Sequence, residues 1–216
     1  TNIGKKYQTV AAQLDQLSRE IVSSLDTEIG ATYQNPDYVP DLPFLWRSLR
    51  WSKPDGRIAM ALPARTLFKQ GRAAWATREA IFRLIEVTGI INCSNLRKTK
   101  VWPDMDQPFM LLFARNRRPK SGHRLPFISP HTDLPLNRLG EVRIDAKSAQ
   151  PILVEDALAE PWLWKALAVG SALDVEVMRK LKAAGGEPLK AYWVDQLALS
   201  CRTGYQIRPD QPQQSA

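Results

Sequence analysis

The chain has 216 residues, 44% of them hydrophobic, and seven Trp. That composition excludes a disordered polymer and allows one or two domains with a sizeable core. The net charge of +8 is uneven: residues 47–124 hold 17 Lys/Arg and 5 Asp/Glu, against 3 and 6 in residues 1–46 and 10 and 11 in residues 125–216.

A basic middle third between near-neutral flanks suits a surface that meets a polyanion, or a solvated positive face. Cys93 and Cys201 are the only cysteines, with no CxxC spacing. They make neither a disulfide framework nor a zinc site, and a reduced, cytoplasmic setting is expected. His123 and His131 stand alone, so no metal is expected. No apolar run approaches the ~18 residues of a membrane span. Residue 1 is Thr, so the lack of a visible targeting signal decides nothing.

In chain order, Val10, Leu14, Leu17, Ile21 and Leu25 recur at helical spacing and predict a helix over 8–25. Gly30 and Asn35-Pro36-Asp37 mark the loop after it. Asp41 is the expected N-cap of a second helix, with Pro43 in its first turn and Leu42, Leu45, Trp46 and Leu49 as its buried stripe. Lys53-Pro54-Asp55-Gly56 reads as a turn. RIAMAL, 57–62, reads as a buried strand that Pro63 ends. The loop LPARTLF leads past Gly71 to a helix over 73–86, with Thr88-Gly89 as its cap. Ile90 and Ile91 begin a second buried strand. A polar loop over 93–108 carries Arg97, Lys98 and Lys100. FMLLFA, from Phe109, is a third buried strand.

Two strands joined by a helical crossover run parallel. The third follows with no helix between and is expected to be antiparallel. After the basic linker 116–124, PFISP and EVRID read as short strands. Helices are expected from Pro161-Trp162 to Gly170 and over 174–184. The tail from Glu187, with Tyr192-Trp193 and Gly204-Tyr205, ends in a polar, Pro/Gln-rich stretch expected to be disordered.

Four motifs, in this order, carry a family resemblance: Asp41-Leu42-Pro43-Phe44-Leu45, the strand-end Leu62-Pro63-Ala64, the loop Val101-Trp102-Pro103, and Pro108-Phe109 opening the last strand. Residues 41–115 resemble the second half of the catalytic domain of gamma-class adenine-N6 DNA methyltransferases. These are restriction–modification or phage-defence methylases with an NPPY/W-type catalytic motif. The resemblance implies an α/β fold: the C-terminal half of a Rossmann-like sheet, parallel strands closed by an antiparallel one, over 1–120. It implies a small α+β connector over 121–186 and the start of a target-recognition domain over 187–216.

It further implies that S-adenosyl-L-methionine is the cofactor and double-stranded DNA the partner. Asp41, Phe44 and Pro63 would lie on the cofactor side. Trp102, with Pro103, would stack on the adenine flipped from the duplex, a contact worth ~1–3 kcal/mol. Arg97, Lys98, Lys100, Arg117 and Arg118 would track the DNA backbone. The alternatives are that Phe44 packs in the core and that Trp102 plugs a loop. Asn35-Pro36-Asp37-Tyr38 departs from the catalytic tetrapeptide at its third place, and does not follow a buried strand, so it reads as a turn. No glycine-rich cofactor turn occurs in residues 1–216. The resemblance therefore implies that the missing N-terminal half of the domain is a partner, and that this fragment alone is inactive. Two other readings stay open. One is a methyltransferase acting on RNA or on a protein glutamine, and the other is a non-catalytic nucleic-acid-binding module. Trp46, Trp51, Trp75, Trp162, Trp164 and Trp193 are expected to pack, and Asp104 and Asp106 to be solvated.

Overall fold

The computed structural model describes residues 8–36, 40–130, 133–146, 148–185 and 191–199. Asp37, Tyr38, His131, Cys201 and most of the tail from Glu187 therefore lie outside the described residues. The chain divides into two compact units, Thr1–Val175 and Glu176–Ala216.

The first unit is an α/β domain built on one five-stranded sheet of order β1-β3-β2-β4-β5. The strands are β1 (Arg57–Pro63), β2 (Glu86–Asn92), β3 (Phe109–Arg115), β4 (Arg124–Ile128) and β5 (Ala149–Leu153). β3 is antiparallel to both β1 and β2, and β2 pairs with β4 in parallel. β1 and β2 thus run the same way, as the crossover requires, but they do not touch, because β3 is inserted between them. β4 and β5, from the expected connector, extend the same sheet rather than forming a body of their own. β5 falls at Ala149–Leu153 and not in EVRID, where residues 141–145 form no strand.

Helices α1 (Gln8–Leu25), α3 (Asp41–Trp51), α5 (Arg72–Leu84), α7 (Val154–Ala159) and α8 (Leu163–Val169) contribute to one core against a single sheet face. That face carries Ile58, Leu62, Ile90, Met110, Leu112, Leu125 and Phe127, every second residue along each strand. The α1 stripe is rotated from the expected one: Ala11, Ser18, Ile21 and Val22 are buried, while Val10 and Leu25 at the two ends are exposed. The buried Trp46 indole donates to the Tyr33 hydroxyl at 2.7 Å, and that hydroxyl donates to Asn35 Oδ1 at 2.7 Å. Trp164 stacks on Phe82 at 5.0 Å between ring centroids. Two other Trp do not pack as expected. Trp51, at the end of α3, is 66% exposed beneath the Arg47 guanidinium, and Trp75 projects from the outer side of α5.

Four local readings are corrected. RIAMAL is not a buried strand: β1 is an edge strand in which Ile58 and Leu62 are buried while Arg57, Ala59 and Ala61 are exposed. Gly30 is not in a loop. It lies in α2 (Thr27–Thr32), which Asp26 caps, and packs so tightly on α1 that an added Cβ would lie 2.3 Å from Ser23 Oγ. Asp41 does not cap α3. It is the first helical residue and pairs with Arg65 instead. Thr88-Gly89 is not a helix cap. α5 ends when Ile85 turns extended, the Glu86 N–H bonds to Arg117 O at 2.7 Å, and Thr88 becomes an irregularity in β2 against β3. A glycine within a strand pattern often marks such a bulge. The loop after β1 also holds a helix, α4 (Arg65–Phe68). The described residues also form α6 (Leu134–Leu139), α9 (Ala172–Ala183), a 3-10 turn at Ser94–Leu96 and a π-helical turn over Tyr192–Gln196.

At the amino end of β2, Arg117 makes two 2.7 Å bonds to Glu86 and reaches Asp55 at 3.0 Å. The Arg117 hydrogen bonds hold the Glu86 carboxyl below the usual carboxylate range. A carboxyl depressed in the folded state adds stability above its unfolded pKa, and this is lost as the pH falls through the folded value. The thermal midpoint should therefore fall on acidification through and below that range. Glu86→Gln should flatten the fall. An unchanged pH slope in the variant would remove Glu86 from the acid response.

Candidate ligand pocket and basic loop

Pro63 is the last residue of β1 and pairs with Phe109 of β3. The next amide, of Ala64, still bonds to Pro108 O at 3.0 Å, which ties the strand end to the start of β3. The chain then turns into α4. This turn is held from below by Arg78, a buried guanidinium on α5 whose Nη1 donates to Lys69 O at 2.7 Å and Leu67 O at 3.2 Å. Burial lowers the Arg78 pKa, the expected cost of a desolvated cation. The clue in the sequence was an arginine on the apolar stripe of α5, among Ala74, Ile81 and Phe82.

Above this turn lies a pocket of about 320 Å³. Its walls include Asp41 from α3, Ala61, Leu62 and Pro63 from β1, Arg65, and Met105, Gln107 and Phe109 from the segment entering β3. Arg65 Nη2 lies 3.4 Å from Asp41 Oδ2 at the mouth. The pocket sits at the carboxyl end of β1, where open α/β sheets bind ligands. Two of the expected cofactor-side residues, Asp41 and Pro63, thus share one cavity. The third, Phe44, is not in the core. It is 56% exposed on α3 and does not line this pocket. Reading the sequence missed Met105, Gln107 and Phe109 as pocket walls, since nothing local to them reports that they return to β1.

The loop over 93–108 has a small core of its own, made of Cys93, Leu96 and Phe109 with Val101, Trp102 and Met105 against them. Burial pushes the Cys93 thiol up to about 11, so it is inert at neutral pH. The loop closes on itself: Lys98 N–H donates to Trp102 O at 3.0 Å, and Trp102 N–H to Thr99 O at 3.1 Å. Lys98 takes a positive φ of 58° in this turn. Trp102 is half-buried, its ring edge-on to Phe109 at 4.9 Å between centroids. It adjoins the pocket through Phe109 and Met105, and Pro103 beside it is exposed.

Arg97, Lys98 and Lys100 are exposed around Trp102, with Lys98 Nζ 3.1 Å from Asp106. Asp104 and Asp106 are both exposed, as expected for solvated loop carboxylates. Arg117 and Arg118 lie past the far end of β3, roughly 24 Å away along seven residues at ~3.4 Å each. There they tie the fold together, Arg117 as described and Arg118 to Asp26 at 3.0 Å and to Leu25 O. The structure does not bring the two basic segments to one place.

Asn35 is committed elsewhere too: its N–H bonds to Asp15, its Nδ2 lies 3.4 Å from Ser18 Oγ, and its Oδ1 accepts from Tyr33. His123 is structural, with Nε2 2.7 Å from Val87 O. Among the described residues no group of His, Cys, Asp and Glu could hold a metal ion, and no helix is long and apolar enough to cross a membrane.

Fold and site together define a mixed-sheet α/β domain with a small pocket at the carboxyl end of an edge strand, beside an aromatic and basic loop. No protein-family model matches the chain, and no curated protein matches it. Solved structures similar in shape include the following two. One is the M protein of the type I restriction enzyme EcoKI (EC 2.1.1.72), at 13% identity and TM-score 0.43, covering 78% of this chain and 46% of that one. The other is the type IIG restriction endonuclease BpuSI, at 13% identity and TM-score 0.37, covering 71% of this chain and 17% of that one. The chain thus spans less than half the length of either.

Proposed function

We propose that this chain acts as part of an S-adenosylmethionine-dependent adenine-N6 DNA methyltransferase. It supplies the stacking wall for the flipped base, one side of the cofactor pocket and a basic DNA track. The observation that carries the reading is convergence. Residues 41–45, 62–64 and 101–109 are far apart in sequence and resemble successive motifs of that family. Asp41, Pro63 and Phe109 from these segments line one pocket, and Trp102 packs on Phe109.

The residues present fit one side of the cofactor. Ala61, Leu62 and Phe109 offer an apolar floor, and the Asp41 carboxylate stands at the mouth beside Arg65. A volume of about 320 Å³ is at the low end for a ligand site (~300–1,000 Å³). When bound, the cofactor supplies an electrophilic methyl group. The partly exposed Trp102 indole offers the aromatic surface for a base swung out of the duplex. Arg97, Lys98 and Lys100 surround it and neutralise phosphates next to the flipped nucleotide. Arg117 and Arg118 hold the fold and join the track only at its far end.

The partner in this reading is the N-terminal half of the domain, which carries the glycine-rich cofactor turn. Calorimetric titration of the chain alone with S-adenosylmethionine should therefore show no micromolar binding. Micromolar binding would place the cofactor turn within these residues and overturn that division. The reaction itself is tested by combining the chain with a polypeptide that carries the glycine-rich cofactor turn and the NPPY/W-type motif, duplex DNA and radiolabelled S-adenosylmethionine. N6-methyladenine should form. Transfer to RNA or to protein glutamine, or no transfer, would end the reading.

A further inference from the structure

A second and larger pocket, of about 540 Å³, lies at the other end of the sheet. Arg83 and His123 line it and stand just before β2 and β4, which run in parallel, so it opens at their amino ends. The pocket at Pro63 is at the carboxyl end of β1, which runs the same way as β2. Every wall of the larger pocket belongs to the first unit. Trp75, Phe82 and Arg83 come from α5, Glu155 and Leu158 from α7, and Lys120 from the linker between β3 and β4. The linker is pinned in place. His123 N–H donates to Lys120 O at 3.2 Å across a turn in which Gly122 takes a φ of 71°. Gly122 N–H donates to Glu155 Oε1 at 3.0 Å, Val154 N–H donates to His123 O at 3.0 Å, and His123 Nε2 lies 2.7 Å from Val87 O. The walls are therefore set before any ligand arrives.

These walls carry three kinds of group. Trp75 is 41% exposed, an aromatic surface with Phe82 and Leu158 as apolar neighbours. Arg83 and Lys120 are two cations. Arg83 Nη2 lies 3.3 Å from Glu79 Oε1, an exposed pair one helical turn apart, which stabilises little and leaves Nε and Nη1 for a ligand. Lys120 is exposed and has no carboxylate partner among the described residues. The third kind is the Glu155 carboxylate. Its own backbone N–H and that of Gly122 hold it below the usual carboxylate range, so it is ionised at neutral pH. Its Oε2 remains to accept a hydroxyl.

We infer that this second pocket binds a nucleotide, with its base on Trp75, its phosphate on Arg83 and Lys120, and a sugar hydroxyl on Glu155. An indole stacks any of the bases. Guanidinium and ammonium groups make charge-assisted hydrogen bonds to phosphate, and a carboxylate accepts from a ribose hydroxyl. Trp75 and Arg83 are eight residues apart on α5, ~12 Å along its axis, so ring and charge are held at separate ends. An inorganic anion would leave Trp75 unused, and an apolar ligand would leave both cations unused. A volume of about 540 Å³ is that of a small-molecule site (~300–1,000 Å³). A free nucleotide and one within a single strand share this chemistry. The inference stands on these walls, whatever reaction the pocket at Pro63 serves.

The test is calorimetric titration of the full chain with adenosine monophosphate and guanosine monophosphate. Both should bind. Adenosine, which lacks the phosphate, and ribose phosphate, which lacks the base, should each bind at least ~10-fold more weakly. The dideoxy nucleotide, without its sugar hydroxyls, should lose several-fold. Arg83→Gln and Lys120→Gln should each weaken binding about 10-fold, and Trp75→Ala at least ~5-fold, while Trp75→Phe keeps most of it. The three side chains are exposed, so the thermal midpoint should hold, and Lys120→Gln on the linker decides should Trp75→Ala fail to fold. Asp41→Asn, at the other pocket, should leave nucleotide binding unchanged. A single-stranded oligonucleotide is titrated beside the mononucleotides, and the tighter binder names the source. No binding by either up to about 1 mM would overturn the inference. So would adenosine binding as well as its monophosphate, or full binding by the folded variants. Binding lost in Asp41→Asn and kept in Arg83→Gln would put the ligand in the other pocket and overturn it too. Neither S-adenosylmethionine nor methyl transfer enters the test, so the inference and the proposed reaction fail separately.

Discussion

Replacing Trp102 by Ala is expected to lower methyl transfer by about one to two decades, the equivalent of the ~1–3 kcal/mol of a base–aromatic stack. The structure sharpens this expectation. The indole is half-buried, and its neighbours form a small cluster separate from the main core. Its truncation should therefore cost less stability than the ~3–5 kcal/mol of a fully buried aromatic. Trp102→Phe should keep most of the activity, since a smaller ring still offers a face and can still meet Phe109. With 2-aminopurine at the target position, the flipped base should be quenched on the wild-type ring and bright in the Ala variant. Thermal stability is measured beside turnover. An Ala variant that is destabilised, yet turns over normally per folded molecule, would make Trp102 a loop plug and nothing more.

Neutralising Arg97, Lys98 and Lys100 together, each to Gln, is expected to flatten the salt dependence of duplex binding. Each lost phosphate contact takes about 0.9 from the slope of log K against log salt, so all three take up to ~2.7. The Arg117→Gln, Arg118→Gln pair is the contrast. Their guanidiniums are held by Glu86, Asp55 and Asp26, so this pair should lower the thermal midpoint far more than it changes the slope. Titrations at several salt concentrations separate the two outcomes. An unchanged slope in the loop variant, with a flattened slope in the Arg117/Arg118 pair, would move the DNA track to the other end of the sheet.

Much of the site was legible because its parts are local. Pro63 could be placed at a strand terminus from RIAMALP and the residues after it, although Pro126 and Pro151 stand inside β4 and β5. The cluster of basic residues around a loop tryptophan is likewise written contiguously. Phe44 and the Arg117–Arg118 pair show where this stops. An aromatic at the start of an amphipathic helix is buried or exposed according to the rotation of that helix. An arginine beside a strand end reads as a free charge until the carboxylates opposite it are known. Asp26, Asp55 and Glu86 come from three different places in the chain.

By itself the sequence determined the order α1, α3, β1, α5, β2, β3 over the first 115 residues, the antiparallel sense of the third strand, and the basic loop with its tryptophan. All of these follow from periodicity, turn chemistry and charge within a dozen residues. Only the tertiary structure decided that β3 inserts between β1 and β2 and that residues after 120 extend the same sheet. It alone decided that Thr88-Gly89 belongs to a strand and that β1 lies at the edge of the sheet. Pairing partners are chosen by hydrogen bonds and apolar contacts between segments tens of residues apart. The alternating pattern that marks a strand is the same whichever neighbour it finds.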